Sequence, residues 1–252
     1  MERVKRFLER WPLLNLIIRY FYIPVAIKIK SYLQYFGRNR LPEIEYITNP
    51  PTEELWIESW NSKDSGHRPF LIERIAGFSP FSSVLEIGCG VGPNLYMLGK
   101  KFPDTIIREI DINPLAVKLG NELLAKEGIS NASISIGRVE ELSELDDKNF
   151  DIVFTDAVLL LIGRNQIYGV VKEIIRISRK GLVFLEWHDY DQRFKDTHGL
   201  GVFTLGRWAR DYVSLIKGFV SEEQIHFSKL PEGLWPTPGW ERFGAIIQVI
   251  LK

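Results

Sequence analysis

Val84-Leu85-Glu86-Ile87-Gly88-Cys89-Gly90-Val91-Gly92-Pro93-Asn94 decides how the chain is read. Ser83 to Ile87 is a short apolar run suited to a buried parallel strand, and three glycines at alternate positions follow it directly. Glycines there let the backbone turn sharply and let a ligand approach without meeting a Cβ. Pro93 fits the first turn of a helix, where its missing N–H costs nothing, and Asn94 to Lys101 continues with helical spacing. Strand, glycine turn and helix together make the unit that binds nucleotide-like ligands at the carboxyl end of the strand in open α/β folds.

The spacing excludes a dinucleotide fingerprint. G-x-G-x-x-G places Pro93 at the third glycine when counted from Gly88, and Leu95 when counted from Gly90. What stands here is E-x-G-x-G-x-G, which resembles the first motif of the class I S-adenosylmethionine-dependent methyltransferases. The resemblance implies S-adenosyl-L-methionine as cofactor and assigns Glu86, Gly88, Cys89, Gly90 and Gly92 to the neighbourhood of its methionine part.

Thr105 to Ile110 reads as a second strand ending at Asp111, followed by Asn113 as a helix cap and Pro114 at the first helical position. A carboxylate at that strand end, about 20 residues beyond the glycines, can accept both hydrogen bonds from a ribose diol. Asp111 matches the family's second acidic position, and the resemblance extends the cofactor neighbourhood to Ile112. After a third strand, Ala132 to Ile136, the turn Gly137-Arg138-Val139-Glu140-Glu141-Leu142 has the family's shape without its usual aspartate. Arg138 stands there and has no acceptor for an adenine amino group. Glu140 or a backbone carbonyl would then make that contact, or Arg138 would stack on the ring, with Val139 beside it.

Asp151 to Thr155, ending at Asp156, is a fourth strand. Ile167 to Ser178 follows as a helix and Leu182 to Glu186 as a fifth strand. Such alternation implies a doubly wound, mostly parallel sheet. Gln224 to Leu230 and Ala245 to Leu251 are strand-like with no room between them for a helical crossover, so they should pair antiparallel. The expected fold is α/β: a Rossmann-like seven-stranded sheet with an antiparallel last strand pair, as in the methyltransferases, over residues 53–252.

Residues 1–40 have a different character, and 41–52, with three prolines, read as a linker. The first forty residues hold nine Lys/Arg against Glu2 and Glu9, although the whole chain is formally neutral. Within them Val4, Phe7, Leu8, Trp11, Leu14, Ile18, Phe21 and Val25 recur at steps of three and four. Arg19 divides the apolar blocks into pieces shorter than the roughly 18 residues that a membrane span needs. The stripe suits an N-terminal helical extension, either on an anionic membrane surface or packed on the protein or a second copy. The catalytic half is acidic by difference, which argues against a nucleic-acid partner. A single cysteine, Cys89, and no signal-peptide pattern favour a reducing, cytoplasmic setting with peripheral membrane attachment as an option.

Thr155-Asp156-Ala157-Val158 lacks the Asn/Asp-Pro-Pro-aromatic turn of amino-group methylators of bases and glutamine. Methylation of pyrimidine carbon-5 needs a cysteine nucleophile, and the one cysteine lies in the glycine turn. A small-molecule or glycan acceptor, methylated at oxygen, is the expectation. A hydroxyl acceptor requires a base, and His188 in Trp187-His188-Asp189 directly follows the fifth strand, with Asp156 as the alternative. Trp60 and His67 ahead of the first strand, and Arg207, Trp208, Arg210, Tyr212, Trp235 and Trp240 late in the chain, are candidates to cover the cofactor or acceptor. No metal ligand set is expected.

Overall fold

The computed structural model describes residues 51–191 and 201–251. The helical extension expected at 1–40 and nearly all of the 41–52 linker lie outside the described residues. From Glu53 onward the elements run α1 (Glu53–Asn61), α2 (His67–Ala76), β1 (Ser83–Ile87), α3 (Pro93–Lys101), β2 (Ile106–Asp111), α4 (Pro114–Lys126) and β3 (Ala132–Ile136). They continue with β4 (Phe150–Asp156), α5 (Ile167–Ile177), β5 (Ser178–Trp187), β6 (Val202–Thr204), β7 (Arg207–Ala209), α6 (Tyr212–Ile216), β8 (Ile225–Lys229), α7 (Pro238–Phe243) and β9 (Gly244–Ile250).

Seven strands form one sheet in the order β3-β2-β1-β4-β5-β9-β8. The first five are parallel, and β9 pairs antiparallel with both β5 and β8. This is the Rossmann-like sheet expected from the sequence. The order reverses between β1 and β4, so the carboxyl ends of β1, β2 and β4 face one crevice, where ligands bind in open α/β sheets. The short hairpin of β6 and β7 stands apart from the sheet.

Each face of the sheet carries its own core. Val84, Ile107, Ile152, Phe154 and Val183 meet α1 to α4, whereas Leu85, Ile87, Val153, Leu182 and Phe184 meet α5 and α6. In α5 the buried residues Ile167, Val170, Val171, Ile174 and Ile177 recur at three- and four-residue steps and form one apolar stripe. Truncating a fully buried member such as Ile174 to Ala would cost about 2–5 kcal/mol.

Local chemistry fixes the element ends near the crevice. The Asn113 side chain accepts from the backbone N–H of Leu115 at 2.9 Å and of Ala116 at 3.2 Å, and Pro114 occupies the first helical position of α4. At the far side α5 passes into β5 without a loop, because Ser178 turns extended and its hydroxyl donates back to the Ile174 carbonyl at 2.6 Å. The sequence reading placed this strand later, at Leu182. Gly181 inside it gives room to Phe78, whose ring carbon would lie 2.2 Å from any Cβ there.

Candidate functional site

A cavity of about 270 Å³ opens at the carboxyl ends of β1, β2 and β4. Its floor is the glycine turn, in which Gly88, Gly90 and Gly92 have φ of 75°, 66° and 76°. Those angles strain any residue with a Cβ, and the space above is also taken. A Cβ on Gly88 would lie 2.6 Å from Val158, and one on Gly90 would lie 2.5 Å from the Trp56 ring. Trp56, from α1, is therefore a roof over the middle of the turn.

Asp111 ends β2 on the cavity wall, buried. One carboxylate oxygen accepts from the Gly90 N–H at 2.8 Å and the other from the Asn113 N–H at 2.8 Å. Burial nevertheless raises its carboxyl to about 6, against the pull of those two amides. Each oxygen keeps a lone pair for a further donor. Ile112, Gly137, Arg138, Val139 and Glu140 continue the wall from β2 to the turn after β3. Arg138 pairs loosely with Glu140 at 3.5 Å, while its backbone N–H donates to Glu141.

Residues 79–198 match the family model described as a methyltransferase domain. That match, just under half of the chain, supports an S-adenosylmethionine-dependent methyltransferase. Similar curated proteins are provisionally named O-methyltransferases, from Mycobacterium avium (32% identical over 91 residues, 34% of this chain and 41% of the relative) and Mycobacterium tuberculosis (34% over 87 residues, 33% and 39%). An uncharacterised Bacillus subtilis protein, YbxB, is 35% identical over 83 residues. The chain spans about two fifths of the length of these relatives.

Among solved structures, the plantazolicin methyltransferase BamL, in complex with a triazolic desmethylPZN analog and SAH, aligns over 90% of this chain and 99% of its own. Its TM-score is 0.60 at 17% identity. Geranyl diphosphate C-methyltransferase from Streptomyces coelicolor A3(2) aligns over 73% of this chain and 78% of its own, with a TM-score of 0.54 at 10% identity. At such identities the likeness concerns the fold, which hosts more than one acceptor chemistry.

The other end of the cavity is rich in buried charge. Glu86, without exposed surface, accepts from the Asn94 amide at 2.7 Å, and its second oxygen has no partner. Burial raises its carboxyl to about 8, with Asp156 adding to the rise. Asp156 accepts from the same Asn94 amide at 3.0 Å and stands 3.6 Å from His67 Nε2. Burial alone would raise Asp156, but His67, Arg68 and Asn94 together hold it below the usual range. His67 stacks on Trp235 with centroids 3.6 Å apart, and Trp235 stacks in turn on Trp240 at 3.9 Å. Of these three rings only Trp235 lines the cavity.

The remaining wall, Ala157 to Ile162, is hung from buried charges behind it. Glu186, at the end of β5, accepts from the Thr155 hydroxyl and from the N–H groups of Val158, Leu159 and Leu160 at 2.9–3.0 Å. Arg210, also without exposed surface, donates to the carbonyls of Leu159 and Ile162. Burial raises Glu186 to about 7 and lowers Arg210, the latter opposed by Tyr212 and Glu186.

The structure does not bring His188 to this cavity. It is buried against Phe227 and Tyr190, with ring centroids 4.4 and 5.0 Å away, and its Nε2 is 3.9 Å from Asp211. Burial lowers it to about 4, with Asp211 opposing. Nor do Trp208, Arg210 and Tyr212 cover the cavity: they are packed inside, and Arg210 acts on the wall from behind. Sequence reasoning missed the roof residue Trp56, the buried Glu109 and the Arg210 support. Trp56 and Trp60 at four-residue spacing were the one available signal for α1. Among the described residues no group of His, Cys, Asp or Glu is placed to hold a metal ion, and no helix is long and apolar enough to cross a membrane.

Proposed function

We propose that the chain binds S-adenosylmethionine in this cavity and directs its methyl group to an oxygen of a small-molecule or glycan acceptor. The observation that carries the reading is Asp111: a buried carboxylate at the end of β2, anchored by Gly90 and Asn113 and still able to accept two ribose hydroxyls. The residues fit the cofactor on two further counts. The glycine turn provides a cradle that a Cβ would fill, and the unpartnered oxygens of Glu86 and Asp156 await donors. Ile112, Val139 and Arg138 would flank the adenine, with Cys89 and Gly88 near the methionine part.

The bound cofactor supplies an electrophilic methyl on a sulfonium. The chain's task is alignment of the acceptor and removal of its proton. Asp156 stands on the cavity wall, with His67 3.6 Å away to orient it, as the group to take that proton, and His188 does not line the cavity. The provisional O-methyltransferase names of the curated relatives support oxygen as the target. Titration calorimetry with S-adenosylmethionine, S-adenosylhomocysteine and NAD is the test: the first two should bind and the third should not. Asp111→Ala should then weaken both by at least tenfold, as loss of two charge-assisted bonds implies.

A second reading is favoured by the basic apolar stripe in residues 1–40: the acceptor is lipid-linked and is met at an anionic membrane surface. Sedimentation with phosphatidylserine vesicles, reversed by high salt and abolished by deleting residues 1–40, would support it.

A further inference from the structure

A second cavity, of about 440 Å³, lies between the end of β8 and the start of α7. Lys229, Glu232 and Glu241 bring charge to its wall, Trp235 and Trp240 bring indole, and Leu230 and Pro231 are its only aliphatic side chains. Trp235 alone among them also lines the cavity at the glycine turn, so the two spaces meet at one side chain. His67 stacks on Trp235 with centroids 3.6 Å apart and Trp240 does so at 3.9 Å, at interplanar angles of 13° and 4°. Two rings that near to one indole must lie on its opposite faces. Trp235 is thus clamped, and it turns its rim, not a face, to both spaces.

The lining decides what can fill this second space. Lys229, Glu232 and Glu241 are exposed, and none of the three forms an ion pair among the described residues. Lys229 Nζ instead lies 5.9 Å from the centroid of the Tyr190 ring. A lipid chain here would strip water from three charges in return for little hydrocarbon beyond Leu230 and Pro231. An aromatic acceptor would find both faces of Trp235 taken. A polyamine would answer the two carboxylates and be repelled by Lys229. Hydroxyl groups suit the whole set, because each donates to a carboxylate and accepts from an ammonium.

We infer that the second cavity seats a sugar unit of the acceptor, held through its hydroxyls by Lys229, Glu232 and Glu241. This rests on the reading of the first cavity as the donor site, and it narrows the acceptor to a carbohydrate. It also gives Trp235 a task. The indole that walls the sugar backs His67, which stands 3.6 Å from Asp156, so the acceptor space and the candidate base share one rigid stack. Bonds to the remote hydroxyls then hold the reacting one in place.

Saturation-transfer NMR tests it, with maltose, cellobiose, N-acetylglucosamine, spermidine, catechol and 1-octanol each offered at about 10 mM beside S-adenosylhomocysteine. At least one sugar should bind, and more tightly than the amine, the phenol or the alkanol. Glu232→Gln combined with Glu241→Gln should weaken that sugar at least about tenfold, since two charge-assisted bonds are lost, and leave S-adenosylhomocysteine affinity in calorimetry unchanged. Lys229→Met should weaken the sugar by a smaller factor. No sugar bound while S-adenosylhomocysteine binds overturns the inference, as does tighter binding of spermidine, catechol or octanol. Sugar binding that ignores all three substitutions overturns it too, since the sugar then sits elsewhere. A parent that binds sugar through these residues but no S-adenosylhomocysteine instead sinks the donor reading, so the two failures are distinct.

Discussion

Trp56 lies over Gly90 so closely that a Cβ built at residue 90 would come within 2.5 Å of the indole. Gly90→Ala must therefore both strain a backbone at φ 66°, at about 1–2 kcal/mol, and push the Trp56 roof outward. Affinity for S-adenosylhomocysteine should fall more than tenfold in calorimetry. Trp56→Phe retains the roof with a smaller ring, and its loss should be milder. Parental affinity in Gly90→Ala would show that the turn tolerates a side chain and that the roof is not in contact with the ligand.

Arg210→Met removes the donors that hold the Leu159 and Ile162 carbonyls in the dry interior. Breaking a buried charged contact of this kind costs about 3–5 kcal/mol, and urea unfolding should register it. Because residues 157–162 also wall the cavity, ligand affinity should drop alongside stability.

Glu86 is held at about 8, above its ordinary value of 4.5. Its contribution to stability is therefore fully present below pH 4.5 and is lost as pH rises through 8. A bound cation reverses the preference by favouring the ionised carboxylate. Binding of S-adenosylmethionine, with its sulfonium and ammonium, should expel a proton near pH 7 and tighten toward pH 8. Heats measured in phosphate and in Tris should differ accordingly for the parent and agree for Glu86→Gln. Identical heats in the parent would mean that Glu86 does not titrate with the ligand.

His188 shifts the opposite way, from 6.5 to about 4, because burial disfavours the imidazolium. The unfolded chain binds the proton first, so this contribution is present above pH 6.5 and lost as pH falls through 4, at most ~3 kcal/mol. Lowering the pH from 7 to 5 should cost the parent more thermal stability than His188→Phe, with methyl transfer unaffected by the pH-silent replacement. Equal losses would show that the imidazole is not sequestered.

The sheet was legible because its strands are short apolar runs bounded by glycine, proline or acid. β3 was read at its observed limits and β4 within one residue of them. The cavity wall was legible for the same reason: Gly88 to Gly90, Asp111 and Val139 sit at or just beyond strand ends, where topology decides the neighbourhood. The candidate base was harder. His188 follows β5 directly, yet the β5 end turns it toward Phe227 on the β8 side, a choice made by packing that no spacing reports. His67 and Arg68 reach the site from a helix well ahead of the glycine turn, and only the folded chain puts them beside Asp156. Glu109 was read simply as part of β2. Register sets it beside Glu86 on the adjacent strand, both buried, and burial raises its carboxyl too.

Arg210 sits at the root of the excursion that leaves the sheet after β5 and returns through β6, β7 and α6. That excursion cannot be exchanged between homologues as a free-standing cassette. Grafting in a new version without an arginine at its base would slacken the ledge beneath the ligand, so a change aimed at acceptor choice would surface first as weaker hold on the donor. Attempts to retarget this protein should therefore carry Arg210 and Glu186 over together.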